Sequence, residues 1–170
     1  ELWVTKNARN KLISKVALPK IPTHYLEKTS KLPISREAVH QGVILKVAPL
    51  NHQLDNKLRT GEGKNIVIVL DKVTDPQNVG TIIRTSLFFG CIAVINSERG
   101  GAREGGALAK GASGALEKIP YISVSNITQA LDFFKKSDFS VIGLEATADL
   151  SINSNFFSSF KDNLVLVFGS

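Results

Sequence analysis

The stretch Asp71-Lys72-Val73-Thr74-Asp75-Pro76-Gln77-Asn78-Val79-Gly80-Thr81-Ile82-Ile83-Arg84 holds the residues of this chain best suited to chemistry. It follows the apolar run Asn65-Ile66-Val67-Ile68-Val69-Leu70 and leads into Leu87-Phe88-Phe89-Gly90. That pattern predicts a strand, a polar turn and a helix near 78–89. Asn78, at the expected helix start, offers an amide that can cap backbone N–H groups or hold a partner. Arg84 lies six residues on and projects about 120° round a regular helix from Asn78. A guanidinium near helix N-terminal amides makes a good anion site. Pro76 stiffens the turn, and Gly80 lets another backbone approach closely. A plainer reading uses the same residues: Asn78 only caps, and Arg84 only pairs with an acid such as Asp75.

The loop Asn96-Ser97-Glu98-Arg99-Gly100-Gly101-Ala102-Arg103-Glu104-Gly105-Gly106 is rich in glycine. No Lys-Ser or Lys-Thr closes it, and it lacks the Gly-x-Gly-x-x-Gly that joins strand to helix in dinucleotide sites. ATP or NAD binding is therefore poorly supported. A flexible surface loop is the simpler reading, with Arg99 and Arg103 available to touch phosphates.

Positioning elements are expected on both sides of the turn. Upstream, 2–4 reads as a strand, Asn7 to Val16 as a helix, 23–26 as a short strand and 40–48 as a better one. Residues 1–48 thus read as a small α/β module with a basic face, and 49–64 as a polar, glycine-bearing linker. Downstream, strand 66–70 is followed by the 78–89 helix and strand 92–95. The small-residue segment 107–116 and strand 121–124 come next. A helix over 127–136, capped by Asn126 or Thr128, then precedes strands 139–144 and 163–168. Near-continuous apolar strands alternating with helices predict a parallel sheet covered on both faces. Ligands of such sheets gather at the carboxyl ends of the strands.

The totals agree with such a protein. At 170 residues the chain can bury a real core. No stretch approaches the roughly 18 apolar residues needed to span a membrane. The net charge of +6 and pI of about 9.5 favour an anionic partner such as RNA or DNA. One cysteine, Cys91, cannot form an internal disulfide, so a reducing compartment is expected. With three scattered histidines besides, a Cys/His zinc site is excluded and no metal is expected. Both ends read as interrupted strands, so the sequence is expected to belong to a longer chain.

The run from Asp71 to Gly80 followed by Arg84 resembles motif 1 of the SpoU/TrmH class of SPOUT RNA ribose methyltransferases. His40-Gln41-Gly42-Val43 is similar to the His-Gln-Gly stretch closing the L30e-like domain of the branch acting on large-subunit rRNA. Ala109-Lys110-Gly111-Ala112-Ser113-Gly114-Ala115-Leu116-Glu117 is similar to the family's Lys-x-x-Ser-x-Gly-Ala segment. Val141-Ile142-Gly143-Leu144 and Leu166-Val167-Phe168-Gly169-Ser170 fall where family strands meet the cofactor. The likeness covers nearly the whole chain in the right order.

The resemblance implies an α/β knot fold preceded by a partial L30e-like RNA-binding domain, with 65–170 as the first part of the methyltransferase domain. It implies an S-adenosylmethionine donor, a large-subunit rRNA guanosine as substrate, and a homodimer. Asn78 and Arg84 match the family's catalytic positions; Gly143, Leu144, Phe168 and Gly169 match its cofactor side. His40 and Gln41 match its RNA-binding module. A guanidinium does not release its proton readily, so Arg84 is expected to orient the hydroxyl and phosphate and to stabilise charge. The family's Glu-Gly-x-Gly after Gly169-Ser170, its third motif and its knot-forming segments do not occur in these residues. Two rivals remain: a tRNA-directed relative, which generally lacks the His-Gln-Gly module, and a non-catalytic RNA-binding or ribosome-assembly protein on the same scaffold. Asn-, Ser- and Lys-rich segments such as 151–159 point to a mitochondrial compartment, with bacterial cytoplasm as the alternative.

Overall fold

The computed structural model describes residues 1–13, 20–27, 34, 38, 40–50, 52–55, 58, 63–153, 156, 160 and 163–169. They form two compact units, Glu1–Pro49 and Leu50–Ser170.

The first unit is a three-stranded sheet with one described helix. Strand β1 (Leu2–Thr5) runs parallel to β2 (Thr23–Leu26) and antiparallel to β3 (Val43–Leu45), in the order β2-β1-β3. Alternation buries Leu2 and Val4 on one face. Helix α1 (Lys6–Ile13) follows β1, and its Arg9 guanidinium stacks 4.7 Å over the Tyr25 ring. The rest of the helix expected to reach Val16 lies outside the described residues. The strand expected over 40–48 shrinks to three residues. His40–Gly42 is a turn, with Gln41 at φ 50° and Gly42 at φ 83°, a backbone that cannot join a ladder. This unit carries nine lysines and arginines against three glutamates, which accounts for the whole net charge of +6.

The second unit alternates strands and helices. In order these are β4 (Ile66–Asp71), α2 (Pro76–Phe88), β5 (Ala93–Ser97), α3 (Gly106–Ala112), β6 (Tyr121–Val124), α4 (Ile127–Lys136), β7 (Phe139–Leu144) and β8 (Asn163–Gly169). The sheet order is β6-β5-β4-β8-β7, and every pairing is parallel. The apolar runs are continuous because both faces are covered. Ile68 and Leu70 pack with Val79, Ile83 and Leu108 beneath α2 and α3, while Val67 and Val69 pack with Ile95, Phe134 and Phe139 beside α4. Each such side chain contributes about 1.5–3 kcal/mol by leaving water. Asn126 caps α4, its side chain accepting from the Gln129 N–H, as one of the two expected caps. At the amino end, Asn163 Oδ1 accepts from both the backbone N–H and the Nδ2 of Asn65, at 2.9 Å each, and ties β8 to β4.

The chain leaves β4 toward β5 and β6, then crosses to the far edge at β7 and returns through β8. Strand β4 is therefore the point where strand order reverses. A crevice for ligands belongs at the carboxyl ends of β4 and β8.

Candidate active site

The strand-to-helix turn at the end of β4 begins with Lys72 in the left-handed region, at φ 57°. Asp75 then adopts extended backbone and caps α2, its carboxylate accepting from the Gln77 N–H at 3.0 Å. The helix starts two residues earlier than the sequence pattern predicts, and Asn78 is not its cap. The reason is Pro76: it lacks an N–H, suits the first helical position, and keeps its predecessor extended. Asn78 lies inside the first turn, exposed, and its amide has no partner among the described residues.

Arg84 is also exposed and has no ion pair with Asp75 or any other described residue. Its plainer reading as a structural salt-bridge partner therefore finds no support. The exposed residues of α2 are Gln77, Asn78, Thr81, Arg84, Thr85 and Phe88. At 100° per residue they fill an arc of about 120°, with Asn78 at one border and Arg84 at the other. The two lie about 9 Å apart along the axis. They thus share one open helix face but do not touch. Phe88 and Phe89, 82% and 70% exposed, stand at the end of that face in an edge-to-face pair.

The opposite side of α2 is fixed. A Cβ on Gly80 would lie 2.6 Å from the Leu108 carbonyl oxygen and 2.8 Å from the Ala112 nitrogen. Gly80 thus lets the backbone of α3 lie directly against α2, the close approach expected of it. This contact uses the small-residue segment around Lys110 and Gly111.

The glycine-rich loop is held at several points. Ser97 Oγ donates to the Arg99 carbonyl at 2.8 Å, and the Glu98 N–H donates to Val124 at 2.9 Å. The Ala102 N–H donates to the Val73 carbonyl at 3.1 Å, so the loop is bonded to the β4–α2 turn. Ala102's own carbonyl accepts from Asn96 Nδ2 at 3.0 Å and from the Tyr121 hydroxyl at 2.7 Å. Burial, and secondarily the Glu104 carboxylate, push the Tyr121 hydroxyl well above its ordinary pKa and keep it protonated as a donor. Arg99 and Arg103 are exposed on this loop, with no ion pair among the described residues.

The positions expected on the cofactor side come together through strand register. Leu144 pairs with Phe168, Phe168 with Leu70, and Gly169 with Asp71. The ends of β7 and β8 thus adjoin the start of the β4–α2 turn. Beside them is a cleft of about 650 Å³ lined by Gly143, Leu144, Glu145, Asp149, Ile152 and Phe168, among others. Among the described residues, a Cβ on Gly143 would meet nothing within 4 Å. Apolar walls for a purine, with carboxylates that can accept from ribose hydroxyls, fit the nucleoside part of S-adenosylmethionine. Ser170 lies outside the described residues.

His40 and Gln41 belong to the first unit. His40 Nδ1 accepts from the Gly42 N–H at 2.9 Å and shapes the turn into β3, while Gln41 is exposed. Three residues of the second unit have roles that the sequence reading does not assign. Asp75 had a readable signal, an acid directly before a proline at a helix start. Asn96 and Tyr121 had none, because their meeting at Ala102 depends on the fold. Among the described residues, no group of three or more His, Cys, Asp or Glu is placed to hold a metal, and no helix is long and apolar enough to cross a membrane.

Residues 65–170 match the family model described as the SpoU rRNA Methylase family. The chain belongs to that family. It is 40% identical to the 23S rRNA (guanosine-2'-O-)-methyltransferase RlmB of Burkholderia sp over 139 residues, which are 81% of this chain and 55% of that protein. It is 28% identical to an uncharacterized tRNA/rRNA methyltransferase of Synechocystis sp. over 99% of this chain and 46% of the relative. The chain spans about half the length of these curated relatives. In fold it is similar to the SpoU methyltransferase AviRb from Streptomyces viridochromogenes, with a TM-score of 0.66 and 17% identity over 99% of this chain and 63% of that one. A second structure of AviRb is a complex with the cofactor AdoMet. The α/β architecture with a parallel sheet is the one expected from sequence.

Proposed function

We propose that this chain is the RNA-recruiting and substrate-positioning part of an S-adenosylmethionine-dependent 2′-O-ribose methyltransferase acting on a guanosine of large-subunit rRNA. One observation carries the reading. The ends of β7 and β8, with a cleft sized for a nucleoside, adjoin the turn that launches the helix bearing Asn78 and Arg84.

When bound, S-adenosylmethionine would supply an electrophilic methyl group on its sulfonium sulfur, and Gly143, Leu144, Phe168 and Gly169 would hold its nucleoside end. Arg84 binds the substrate phosphate and orients the adjacent 2′-hydroxyl, stabilising charge as its proton leaves for that phosphate or for water. Asn78 places a neutral donor and acceptor at the other border of the same helix face. Arg99 and Arg103 contact flanking phosphates.

The first unit acts as part of an L30e-like RNA-binding domain, in which His40 and Gln41 present the turn into β3 to RNA. Its charge supports this role. A second copy of the chain covers the exposed Phe88–Phe89 pair at the end of α2 and leaves the face bearing Asn78 and Arg84 open to RNA. The Asn- and Ser-rich segments favour a mitochondrial location, which imaging of the tagged protein checks.

The test is methyl transfer by the full-length protein from labelled S-adenosylmethionine to a large-subunit rRNA transcript, with the 2′-O-methyl position mapped. A single labelled guanosine ribose is expected. Labelling of tRNA instead would move the substrate to the rival class. RNA binding without transfer or cofactor affinity would make the chain a binding protein.

A further inference from the structure

Ala102 is the junction of the site's two polar segments. Its N–H reaches back to the β4–α2 turn at Val73, while its carbonyl is held by two side chains from beneath the loop, Asn96 and Tyr121. Asn96 is 1% exposed, at the carboxyl end of β5. Its amide orientation is fixed, because only the Nδ2 end can donate to a carbonyl. Its Oδ1 has no partner among the described residues and faces Gly101, where a Cβ would collide with both amide atoms. Burying an unsatisfied amide oxygen is costly, so an asparagine here needs a reason. Asn96 is the register partner of the core residue Leu70 and lies two residues beyond the core residue Val94 on the same face, where an apolar side chain would be expected.

We infer that Asn96 and Tyr121 are positioning residues: by clamping Ala102 they hold Arg103 and Arg99 at a fixed place relative to the helix that carries Arg84. Resting on the RNA-methylation reading, this inference names the device that sets how the flanking phosphates are gripped. Without the clamp, Ala102 would keep only its N–H bond to Val73, and the Arg103 guanidinium would bind phosphate from a less firmly held backbone. Neither Asn96 nor Tyr121 touches RNA in this account.

The experiment is a double-mutant cycle on RNA affinity. The full-length protein is titrated into a fluorescein-labelled large-subunit rRNA transcript at a series of salt concentrations, and the four forms are compared at matched salt. These are wild type, Arg103→Ala, Asn96→Ala/Tyr121→Phe, and the triple variant. In the wild-type background, Arg103→Ala is expected to weaken binding about tenfold, the worth of one charge-assisted hydrogen bond, and to lower the salt slope by about one. In the unclamped background the same change is expected to cost less than about twofold. Thermal melts show that each variant is folded. Should the double change unfold the protein, Tyr121→Phe alone, which removes one hydroxyl, serves as the background and is expected to shrink the Arg103 effect at least twofold.

An equal loss in both backgrounds would mean Asn96 and Tyr121 serve stability only, and would overturn the inference. So would an Arg103→Ala protein that binds as tightly as wild type. Failure of the wild-type protein to bind the transcript would instead strike the RNA reading itself, and the inference with it.

Discussion

Replacing Gly80 by alanine should loosen the helix that presents Asn78 and Arg84. The added Cβ would lie 2.6, 2.8 and 2.9 Å from the Leu108 oxygen, the Ala112 nitrogen and the Gly111 carbonyl carbon. All three are backbone atoms, so no side-chain rotation relieves the clash. The helices must separate, opening the layer that buries Val79, Ile83 and Leu108. Overpacking of this kind costs about 1–3 kcal/mol, and backbone neighbours place it at the upper end. The better helix propensity of alanine offsets about 1 kcal/mol. A net loss of about 2 kcal/mol follows, or about 8 °C in Tm for a unit of this size. Differential scanning calorimetry reads this directly. Gly106→Ala is the control, since its Cβ would meet nothing within 4 Å at the first residue of α3; it should leave Tm unchanged or raise it slightly. Were Gly80→Ala as stable as wild type, the close packing of α2 on α3 would be refuted.

Other consequences can be checked together. Asp75→Ala removes the side-chain cap of α2 and should cost about 1 kcal/mol in chemical denaturation, whereas Asn78→Ala should cost little, because Asn78 is not the cap. The Tyr121 hydroxyl is pushed above its ordinary value of 10.0, so its neutral form is favoured in the folded state. That contribution is complete below pH 10 and is lost as pH rises toward the folded value; stability should fall above pH 10 in wild type but less steeply in Tyr121→Phe. The first unit holds the whole net charge, so replacing Lys6, Lys11 and Lys46 by glutamine should flatten the dependence of RNA affinity on salt, by up to about one unit of slope for each phosphate that is no longer neutralised.

Much of the second unit was legible from local pattern. Apolar runs such as 66–70 and 163–168 mark strands buried on both faces, and the run after Asp71 marks a strand-to-helix turn. Boundaries moved where one residue governs geometry: Pro76 shifts the start of α2 and hands the cap to Asp75, and the His40–Gly42 turn cuts β3 short. The candidate site was legible in its parts but not in its assembly. Asn78 and Arg84 were read by type and spacing, yet their places at the two borders of one open face depend on what α3 covers. The pairing of Asp71 with Gly169 is set by sheet register over nearly a hundred residues, which no local periodicity encodes. Asn96 looked like the first residue of a polar loop, and only the position of Tyr121 beneath Ala102 gives it a task.

The central claim is that the open face of α2 positions RNA for methyl transfer. The most direct test is Arg84→Ala in the full-length protein, assayed for transfer from labelled S-adenosylmethionine to a large-subunit rRNA transcript, with cofactor affinity measured by calorimetry on the same sample. Transfer should fall by at least about a hundredfold, as expected when a charge-stabilising group is removed, while cofactor affinity changes less than about twofold. Near-normal turnover in Arg84→Ala would contradict the claim.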